Sequence, residues 1–214
     1  MTEYYIPTQA AESEFVEKRS RFIGYIKPVE TEAEARAFVE EIKKRHYDAR
    51  HNCWCYLLRE GGVVRYSDDG EPQGTAGQPM LGVFEKEGIT NLVCVVTRYF
   101  GGILLGTGGL LRAYTKGAKD ALDAAGVSVV RRWVRRLVPC TYSLYERLKQ
   151  ETERFGAVIE DTEYGADIVL TVLVPEELSD AYAARILDFT AGTVETLVDG
   201  EVFQPVPVRS GTQK

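Results

Sequence analysis

The alternation of apolar and polar positions in the first third of the chain predicts a strand, an amphipathic helix and a pair of strands. Residues 15–29 have the composition of extended chain, and Thr31–Glu34 fit a capping box that would start a helix. Apolar residues then recur at helical spacing as far as Tyr47. Residues 53–59 and 63–67 are typical of strands joined by a glycine turn. We therefore expect a helix packed on one face of a sheet.

Beyond this region the pattern indicates a buried strand followed by a long helix. Residues 80–84 form only a short apolar segment, whereas the strand predicted over residues 90–97 has an uninterrupted apolar centre. The helix is expected to begin near Gly108 and to end at Gly126, where a left-handed C-terminal residue is expected. Residues 127–138 predict a further strand.

The last third of the chain has its own order of elements. It predicts a helix around Leu144 that ends at Gly156, and a second helix opened by Pro175. The strands predicted in this part are residues 157–163, 168–174 and 193–206. Together with the strand before them, they give the order βαββαβ, which is typical of a ferredoxin-like unit.

These elements predict an α+β protein of two domains, residues 1–136 and residues 137–214. No low-complexity tract or long linker separates the two domains. Residues 210–214 alone are expected to fray at the C-terminus.

Composition is that of an ordinary soluble protein of 214 residues with a formal net charge of −6. The longest apolar runs are far shorter than the roughly 20 residues that a membrane-spanning helix needs. The N-terminal residues lack the basic and apolar regions of a signal peptide. We therefore expect a cytoplasmic protein with no membrane partner. The four cysteines lie in apolar strand contexts, which predicts reduced, mostly buried thiols.

Charge is unevenly distributed along the chain. Residues 1–140 contain 20 Lys and Arg against 18 Asp and Glu, whereas residues 141–214 contain 6 against 14. A polyanion such as RNA would therefore prefer the first part. The alternative is that the two parts simply have solvent-exposed surfaces of opposite charge, which would give the same numbers of charged residues.

Two glycine-rich segments, Asp68–Pro79 and Arg98–Tyr114, are the most informative features of the sequence. In the second segment, five glycines lie between a predicted strand and a predicted helix, where the backbone can approach a ligand or another segment closely. The spacing resembles a P-loop, but Thr107 stands where the phosphate-binding lysine is needed. The dinucleotide-binding pattern also fails, because Leu111 stands where its third glycine belongs.

A helix N-terminus with arginines beside it can still hold a phosphate or carboxylate through backbone N–H groups. A purely structural turn is the alternative. The residues predicted to form a binding site are Arg98, Tyr99, Gly101, Gly102, Gly106, Gly108, Gly109, Arg112 and Lys116, with Thr75 and Gly77 presented by the first segment. Arg98 is expected at the mouth of this site, either as an anchor for an anionic ligand or as a structural clamp paired with Asp69 or Glu71.

Acidic residues in the first segment raise the alternative of an enzyme. Asp69 and Glu71 are candidates for an acid–base pair or for ligands of a hard cation, although they also suit simple turn chemistry. No catalytic residue, metal or cofactor is predicted. His51, Cys53 and Cys55 would share one face of a strand, but a zinc site usually has a second cysteine pair, so buried core thiols are favoured.

An arginine-rich strand is a second candidate for RNA binding. Arg131, Arg132, Arg135 and Arg136 flank Trp133, and basic residues around an aromatic ring suit a nucleic-acid backbone. Successive strand residues point to opposite faces, so these arginines cannot form one patch. A strand that is salt-bridged to acidic residues of the second half is the alternative.

The two glycine-rich segments, together with Lys18-Arg19-Ser20-Arg21-Phe22 and His51-Asn52-Cys53, resemble the IMPACT family. The resemblance is to its bacterial two-domain members and runs over nearly the whole chain. It implies a first domain similar to domain 2 of a small-subunit ribosomal protein and to domain IV of elongation factor G. It also implies a second, ferredoxin-like domain similar to domain V of that factor.

The same resemblance implies an association with translation. Eukaryotic relatives similar over the first domain restrain the amino-acid-starvation response, a stress response, but they carry an additional N-terminal domain that we do not expect here. We therefore expect a non-enzymatic cytoplasmic protein that associates with RNA or the ribosome and is linked to the regulation of translation. A small enzyme or anion-binding protein with its site between the two glycine-rich segments is one alternative. A protein-interaction scaffold is the other.

Overall fold

The computed structural model describes residues 3–211, and these residues divide into two compact units. We call residues 4–129 with 207–211 the first unit, and Glu3 with residues 130–206 the second unit. The division falls between Val129 and Val130, before the boundary expected at Arg136, and the last described residues return to the first unit. No break in the sequence marks this point because a single continuous strand runs through it.

An antiparallel sheet of five strands forms the first unit. The strands are β2 (Ala11–Glu17), β3 (Ser20–Pro28), β4 (His51–Leu58), β5 (Val63–Ser67) and β6 (Leu92–Tyr99), and a short strand β1 (Tyr4–Pro7) precedes them. Their order across the sheet is β2-β3-β6-β4-β5. Every residue of the central strand β6 except Tyr99 is buried, which explains its uninterrupted apolar centre.

Three helices, α1 (Glu32–Arg45), α2 (Gly77–Glu87) and α3 (Thr107–Ala125), cover this sheet. Alternation along β6 sends Cys94 and Val96 into a core with α2 and α3, and sends Val93 and Val95 into a core with α1. The predicted capping box of α1 is confirmed, because Thr31 and Glu34 hydrogen-bond each other's backbone N–H.

Two local elements differ from the sequence-based expectation. Residues 15–29 are not one extended segment, because Lys18 and Arg19 form a tight hairpin turn with positive φ angles of 46° and 64°. The short apolar segment at residues 80–84 belongs to α2, a complete helix. Neither Lys18 nor Arg19 is a typical turn residue, so the hairpin has no sequence signal.

Six elements in the order βαββαβ contain residues 130–206 of the second unit, as the sequence predicts. They are β7 (Val127–Cys140), α4 (Tyr142–Phe155), β8 (Val158–Tyr164), β9 (Ile168–Pro175), α5 (Ser179–Phe189) and β10 (Leu197–Arg209). Their sheet has five strands in the order β1-β7-β9-β8, and β10 also pairs with β7. Without the short strand β1, the order β10-β7-β9-β8 is that of a split βαβ unit, and α4 and α5 pack on one face. The two-domain α+β fold is thereby confirmed.

Gly126 ends α3 with φ 72° and ψ 178°, so it has the expected positive φ but is not left-handed helical. The chain continues directly into the extended β7. A Cβ at this position would also lie 2.6 Å from the carbonyl oxygen of Arg209. The predicted fraying of residues 210–214 falls mostly on residues 212–214, which lie outside the described residues. No helix within residues 3–211 is long and apolar enough to cross a membrane.

Candidate functional site

The first glycine-rich segment is held in shape by the carboxylate of Asp68. Its Oδ1 accepts hydrogen bonds from the backbone N–H groups of Ala76 (3.0 Å) and Gly77 (2.8 Å), and its Oδ2 accepts from Gly74 (2.8 Å). These N–H groups lie at the start of α2. Asp68 therefore caps a helix from outside the usual capping position.

Arg98 lies on the central strand, directly across from Phe22 on β3 and His51 on β4. Its Nη1 donates to Glu71 Oε1 at 2.7 Å, and the two side chains are 6% and 4% exposed. The guanidinium carbon also lies 5.5 Å from the ring centroids of both Phe22 and Phe100. The pair is a buried clamp between β6 and the first glycine-rich segment.

Tyr114 and Ser20 extend this clamp to α3 and to residues 100–109, which we call the glycine loop. Tyr114 Oη donates to Glu71 Oε1 at 2.8 Å, and burial raises the pKa of Tyr114, so its hydroxyl keeps the proton it donates. Ser20 Oγ accepts from Arg98 Nη2 (3.4 Å) and from the N–H of Gly101 (3.2 Å). A Cβ at Gly101 would lie 2.0 Å from the Arg19 backbone, so only glycine fits there.

These contacts correct three expectations about the site. Arg98 is not at the mouth of a concave site but inside the protein, where Glu71 already occupies its Nη1. Thr75 is buried rather than presented, and its Oγ1 donates to the carbonyl oxygen of Pro72 at 2.6 Å. Gly77 is buried as well, and a Cβ there would lie 2.9 Å from the Ser67 backbone. The segment folds inward because α2 packs against β5.

Asp69 and Glu71, the candidate acid–base pair, are each held by a separate cation. Asp69 Oδ1 accepts from Lys43 Nζ at 3.0 Å and its Oδ2 accepts from the N–H of Asn52 at 2.7 Å, whereas Glu71 is paired with Arg98. Within residues 3–211, no group of three or more metal-ligating side chains is brought together. The partners of the Asp69 and Glu71 carboxylates are therefore structural.

A pocket of about 220 Å³ lies between the β2–β3 hairpin and α3, and three solvent-facing cations line it: Lys18, Arg112 and Lys116. We call it the α3 pocket. Its lining residues are Phe15, Glu17, Lys18, Leu105, Gly109, Arg112, Ala113 and Lys116. Lys116 pairs with Asp120, and its Nζ lies 4.8 Å from the ring centroid of Phe15. Lys18 and Arg112 have no ion-pair partner among the described residues.

The first turn of α3 is free of capping side chains. Its N-cap is Gly106, with φ 72°, and its first turn contains no acidic residue. Gly102, earlier in the loop, has φ 84°, a conformation that favours glycine. Gly108 and Gly109 lie in this first turn beside Arg112. The structure thus brings the helix start and the predicted cation Arg112 together at one surface.

An apolar surface on the glycine loop was missed by the sequence analysis. Leu104 is 81% exposed, Phe100 and Ile103 are exposed as well, and Leu111 on α3 is exposed beside them in the sequence. Leu105, by contrast, is buried in the core. The available signal is a run of apolar residues between glycines, outside any predicted strand or helix.

Tyr99 follows Arg98 on β6 and therefore points to the opposite face of the sheet. There its hydroxyl donates to Asp48 Oδ1 at 3.0 Å and lies 2.8 Å from His46 Nδ1, while His46 Nε2 lies 2.7 Å from Tyr25 Oη. Because the Tyr99 proton is directed to Asp48, His46 Nδ1–H donates to Tyr99 and Nε2 accepts from Tyr25. Burial lowers the pKa of His46. Tyr99 thus belongs to this cluster and does not line the α3 pocket.

The arginines of β7 are paired with acidic or hydroxyl groups of the second unit. Arg131 pairs with Glu3 and Glu177, Arg132 with Glu176 and Glu201, and Arg135 with Glu160, while Arg136 bonds Ser179, Thr196 and Asp180. β7 is therefore the salt-bridged strand that was the alternative to an RNA-binding strand. A nucleic acid would have to compete with these carboxylates.

All four cysteines are free and buried, as predicted. Burial raises the pKa of Cys53 and of Cys94, so both thiols stay protonated at neutral pH. The Cys53 thiol donates to the carbonyl oxygen of Asp68 at 3.0 Å. Cys53 and Cys94 both pack in the core of the first unit.

The fold and the clamp define a two-domain α+β protein whose two glycine-rich segments are locked together. The Impact N-terminal domain matches residues 18–122, and the Domain of unknown function (DUF1949) matches residues 138–193. The IMPACT family member YvyE of Bacillus subtilis (strain 168) is 36% identical over 93% of this chain and 92% of its own length. An IMPACT family member of Haemophilus influenzae is 36% identical over 94% of this chain and 100% of its own. The chain belongs to the IMPACT family.

Two further comparisons concern structure and more distant relatives. A crystal structure described as that of a hypothetical protein is 32% identical, with a TM-score of 0.58, and the match covers 92% of this chain and 97% of that chain. Protein IMPACT homolog of Dictyostelium discoideum is 35% identical, but over only 47% of this chain and 30% of its own length.

Proposed function

We propose that this IMPACT family member is a non-enzymatic cytoplasmic protein that binds RNA, free or within the ribosome, and that it is linked to the regulation of translation. The observation that supports this most directly is the α3 pocket. Lys18 and Arg112, two exposed cations without an ion-pair partner among the described residues, line it beside the uncapped start of α3. Such a helix start carries partial positive charge, and its N–H groups can bind a phosphate.

Phosphate contact in this proposal comes from Lys18, Arg112 and Lys116 together with the N–H groups of Gly108 and Gly109. Arg98 does not contact the phosphate, because a guanidinium buried against Glu71 cannot also reach a phosphate without breaking that pair. Its role is to hold the glycine loop in position. The resemblance to elongation-factor domains supports RNA as the source of the phosphate and translation, including its response to stress, as the process.

An enzyme is less well supported by the same geometry. Its acid–base pair would be Asp69 and Glu71, and both carboxylates are committed to structural partners. The exposed apolar residues of the glycine loop support the alternative of a protein-interaction scaffold. A scaffold would keep its partner at high salt, whereas phosphate contact would not survive it.

Salt dependence of RNA binding tests the proposal. Fluorescence anisotropy with a labelled RNA should give a Kd of about 10⁻⁴ to 10⁻⁶ M, weakening steeply as salt rises. Lys18→Ala and Arg112→Ala should each reduce the slope of log K against log salt by about 1. Lys44→Ala, which removes an exposed cation from α1 on the other face of the sheet, should leave the slope unchanged. Absence of binding to RNA and to ribosomes at low salt would contradict the proposal.

A further inference from the structure

The direction of β2 along α3 shows which lining residues share each end of the α3 pocket. A Cβ at Gly101, before α3 begins, would lie 2.0 Å from Arg19, and a Cβ at Gly117, further along α3, would lie 3.7 Å from Phe15. β2 and α3 therefore run in opposite directions. Lys18 lies at the end of the pocket where α3 starts, and Phe15 lies at the other end.

These two ends differ in chemistry. One end carries the cations Lys18 and Arg112, which have no ion-pair partner among the described residues. The other is formed around the ring of Phe15, which stacks on Phe22 with ring centroids 5.2 Å apart and an interplanar angle of 6°. Phe22 covers one face of Phe15, and the Lys116 ammonium lies over the same ring, 4.8 Å from its centroid. Lys116 is an exposed side chain that also pairs with Asp120, so a flat ring that stacks on Phe15 displaces this ammonium from the ring.

Glu17 adds a requirement on the ligand. It lies two residues after Phe15 on β2, so its side chain is on the same face of the strand, and it lines the pocket. A carboxylate repels a bare anion but accepts hydrogen bonds from N–H and O–H groups. The ligand that suits all three features carries a phosphate, hydrogen-bond donors and a flat ring.

The size of the pocket limits the ligand further. A volume of about 220 Å³ is many times the ~10–15 Å³ that a single water needs, and it is more than a single phosphate fills. It is also below the ~300 Å³ at which pockets for drug-sized ligands begin. One nucleotide, with its phosphate at the rim, matches this size.

We infer that the α3 pocket takes one unpaired nucleotide of an RNA chain, an inference that rests on the proposed function. The phosphate lies at Lys18 and Arg112, the base stacks on Phe15, and Glu17 accepts hydrogen bonds from the base or the ribose. A base within a duplex is already stacked on both faces, so the pocket selects single-stranded RNA.

Titration of the full chain with 5′-GMP, 5′-AMP, 5′-CMP, 5′-UMP and inorganic phosphate, followed by NMR, tests this inference. Each nucleotide should shift the backbone resonances of Lys18, Gly109 and Arg112 and bind about tenfold more tightly than inorganic phosphate, because stacking adds to the phosphate contact. Binding of inorganic phosphate as tight as that of the best nucleotide would overturn the inference.

The sign of the effect of Glu17→Gln gives a second, sharper test. If the pocket only attracts anions, removing this negative charge strengthens the binding of phosphate and nucleotide alike. If Glu17 accepts hydrogen bonds from the nucleotide, the same change weakens nucleotide binding about fivefold or more while phosphate binding improves. Glu12→Gln is the matched control, because it removes the same charge from the other face of β2.

The outcomes separate this inference from the proposed function. Two results would overturn the nucleotide pocket and leave RNA binding in place. One is that Glu17→Gln strengthens nucleotide binding. The other is that the wild type binds RNA but none of the four nucleotides. Failure of the wild type to bind RNA overturns the proposed function itself. Phe15→Leu, checked first by thermal melting, should lose nucleotide binding and keep phosphate binding. Unchanged nucleotide binding in that variant would also contradict stacking on Phe15.

Discussion

Arg98 Nη1 and Glu71 Oε1 are 2.7 Å apart in the interior of the first unit, with both side chains almost fully buried. Glu71 belongs to the first glycine-rich segment and Arg98 opens the second, so this pair joins the two segments. Tyr114 on α3 bonds the same carboxylate oxygen, and Ser20 links the guanidinium to the glycine loop. The most specific part of the sequence thus encodes a clamp, and the exposed cations Lys18 and Arg112 line a separate pocket.

Arg98→Ala should lower the free energy of unfolding by roughly 3–5 kcal/mol, because it leaves the Glu71 carboxylate buried without its partner. Urea unfolding followed by circular dichroism measures this. Arg65→Ala is the control, since Arg65 is exposed on the edge strand β5 and should change stability by less than about 0.5 kcal/mol. A variant that keeps wild-type stability but loses RNA binding would show that Arg98 is a ligand anchor and not a clamp.

Two glycines of α2 should respond to alanine in opposite directions. At Gly77 a Cβ would lie 2.9 Å from the Ser67 backbone, whereas at Gly82 nothing lies within 4 Å of it. Gly82→Ala should stabilise the protein by up to about 1 kcal/mol through helix propensity. Gly77→Ala should destabilise it, since backbone rather than a flexible side chain must move. Melting temperatures of both variants give the test, and a shift of the same sign in both would contradict this packing.

Asp68→Ala should cost about 0.5–2 kcal/mol and loosen the start of α2, because three backbone N–H groups lose their acceptor. Hydrogen exchange of the α2 amides should speed up more than that of α3. Glu85→Ala, which removes an exposed carboxylate from the same helix, serves as the control. Equal protection of α2 in the Asp68 variant and the wild type would rule out the cap.

Stability should fall on the acid side of neutrality because of His46. Burial lowers the pKa of His46, and the neighbouring Arg45 and Arg21 act in the same direction against Asp48 and Glu12. The unfolded chain, with a histidine pKa of about 6.5, therefore binds the proton more readily than the folded one. The stabilisation is complete above about pH 6.5 and is lost as pH falls through the lower folded-state pKa.

Unfolding in urea at a series of pH values from about 7.5 to 5 measures this effect. His46→Gln removes the titrating group, so the wild type should lose more stability over this range than the variant. NMR titration of the His46 ring should give a pKa below about 6.5. Identical pH profiles for the two proteins would contradict the burial argument.

Sequence reasoning succeeded where the signal is local. The capping box of Thr31 and Glu34, the buried strand β6 and the βαββαβ order all depend on residues that are near each other in the chain. It failed at α2, because the cap that starts this helix is Asp68, too distant for any helix-start pattern. It also failed at the turn of Lys18 and Arg19, where both residues adopt positive φ angles although neither is glycine or asparagine.

The site was only half predictable for the same reason. The α3 side of the pocket, with Gly109, Arg112 and Lys116, follows from the glycine-rich segment. Phe15, Glu17 and Lys18 come from a strand far away in sequence, and only the pairing of β2 with β3 brings them there. The burial of Arg98 likewise depends on Phe22 of β3 and on Glu71 of the first glycine-rich segment, both distant from Arg98 in the sequence.

The central claim is that this protein binds RNA at the α3 pocket, and charge reversal tests it most directly. Affinity for one labelled single-stranded RNA is measured at low salt for the wild type, Lys18→Glu, Arg112→Glu and Lys44→Glu, all verified as folded by thermal melting. The first two variants should bind about tenfold or more weakly, because each replaces a phosphate contact by a repulsive charge. Lys44→Glu changes the net charge equally but lies on α1, so it should bind within about twofold of the wild type. Equal weakening in all three variants, or no weakening in any, would contradict an RNA site at this pocket.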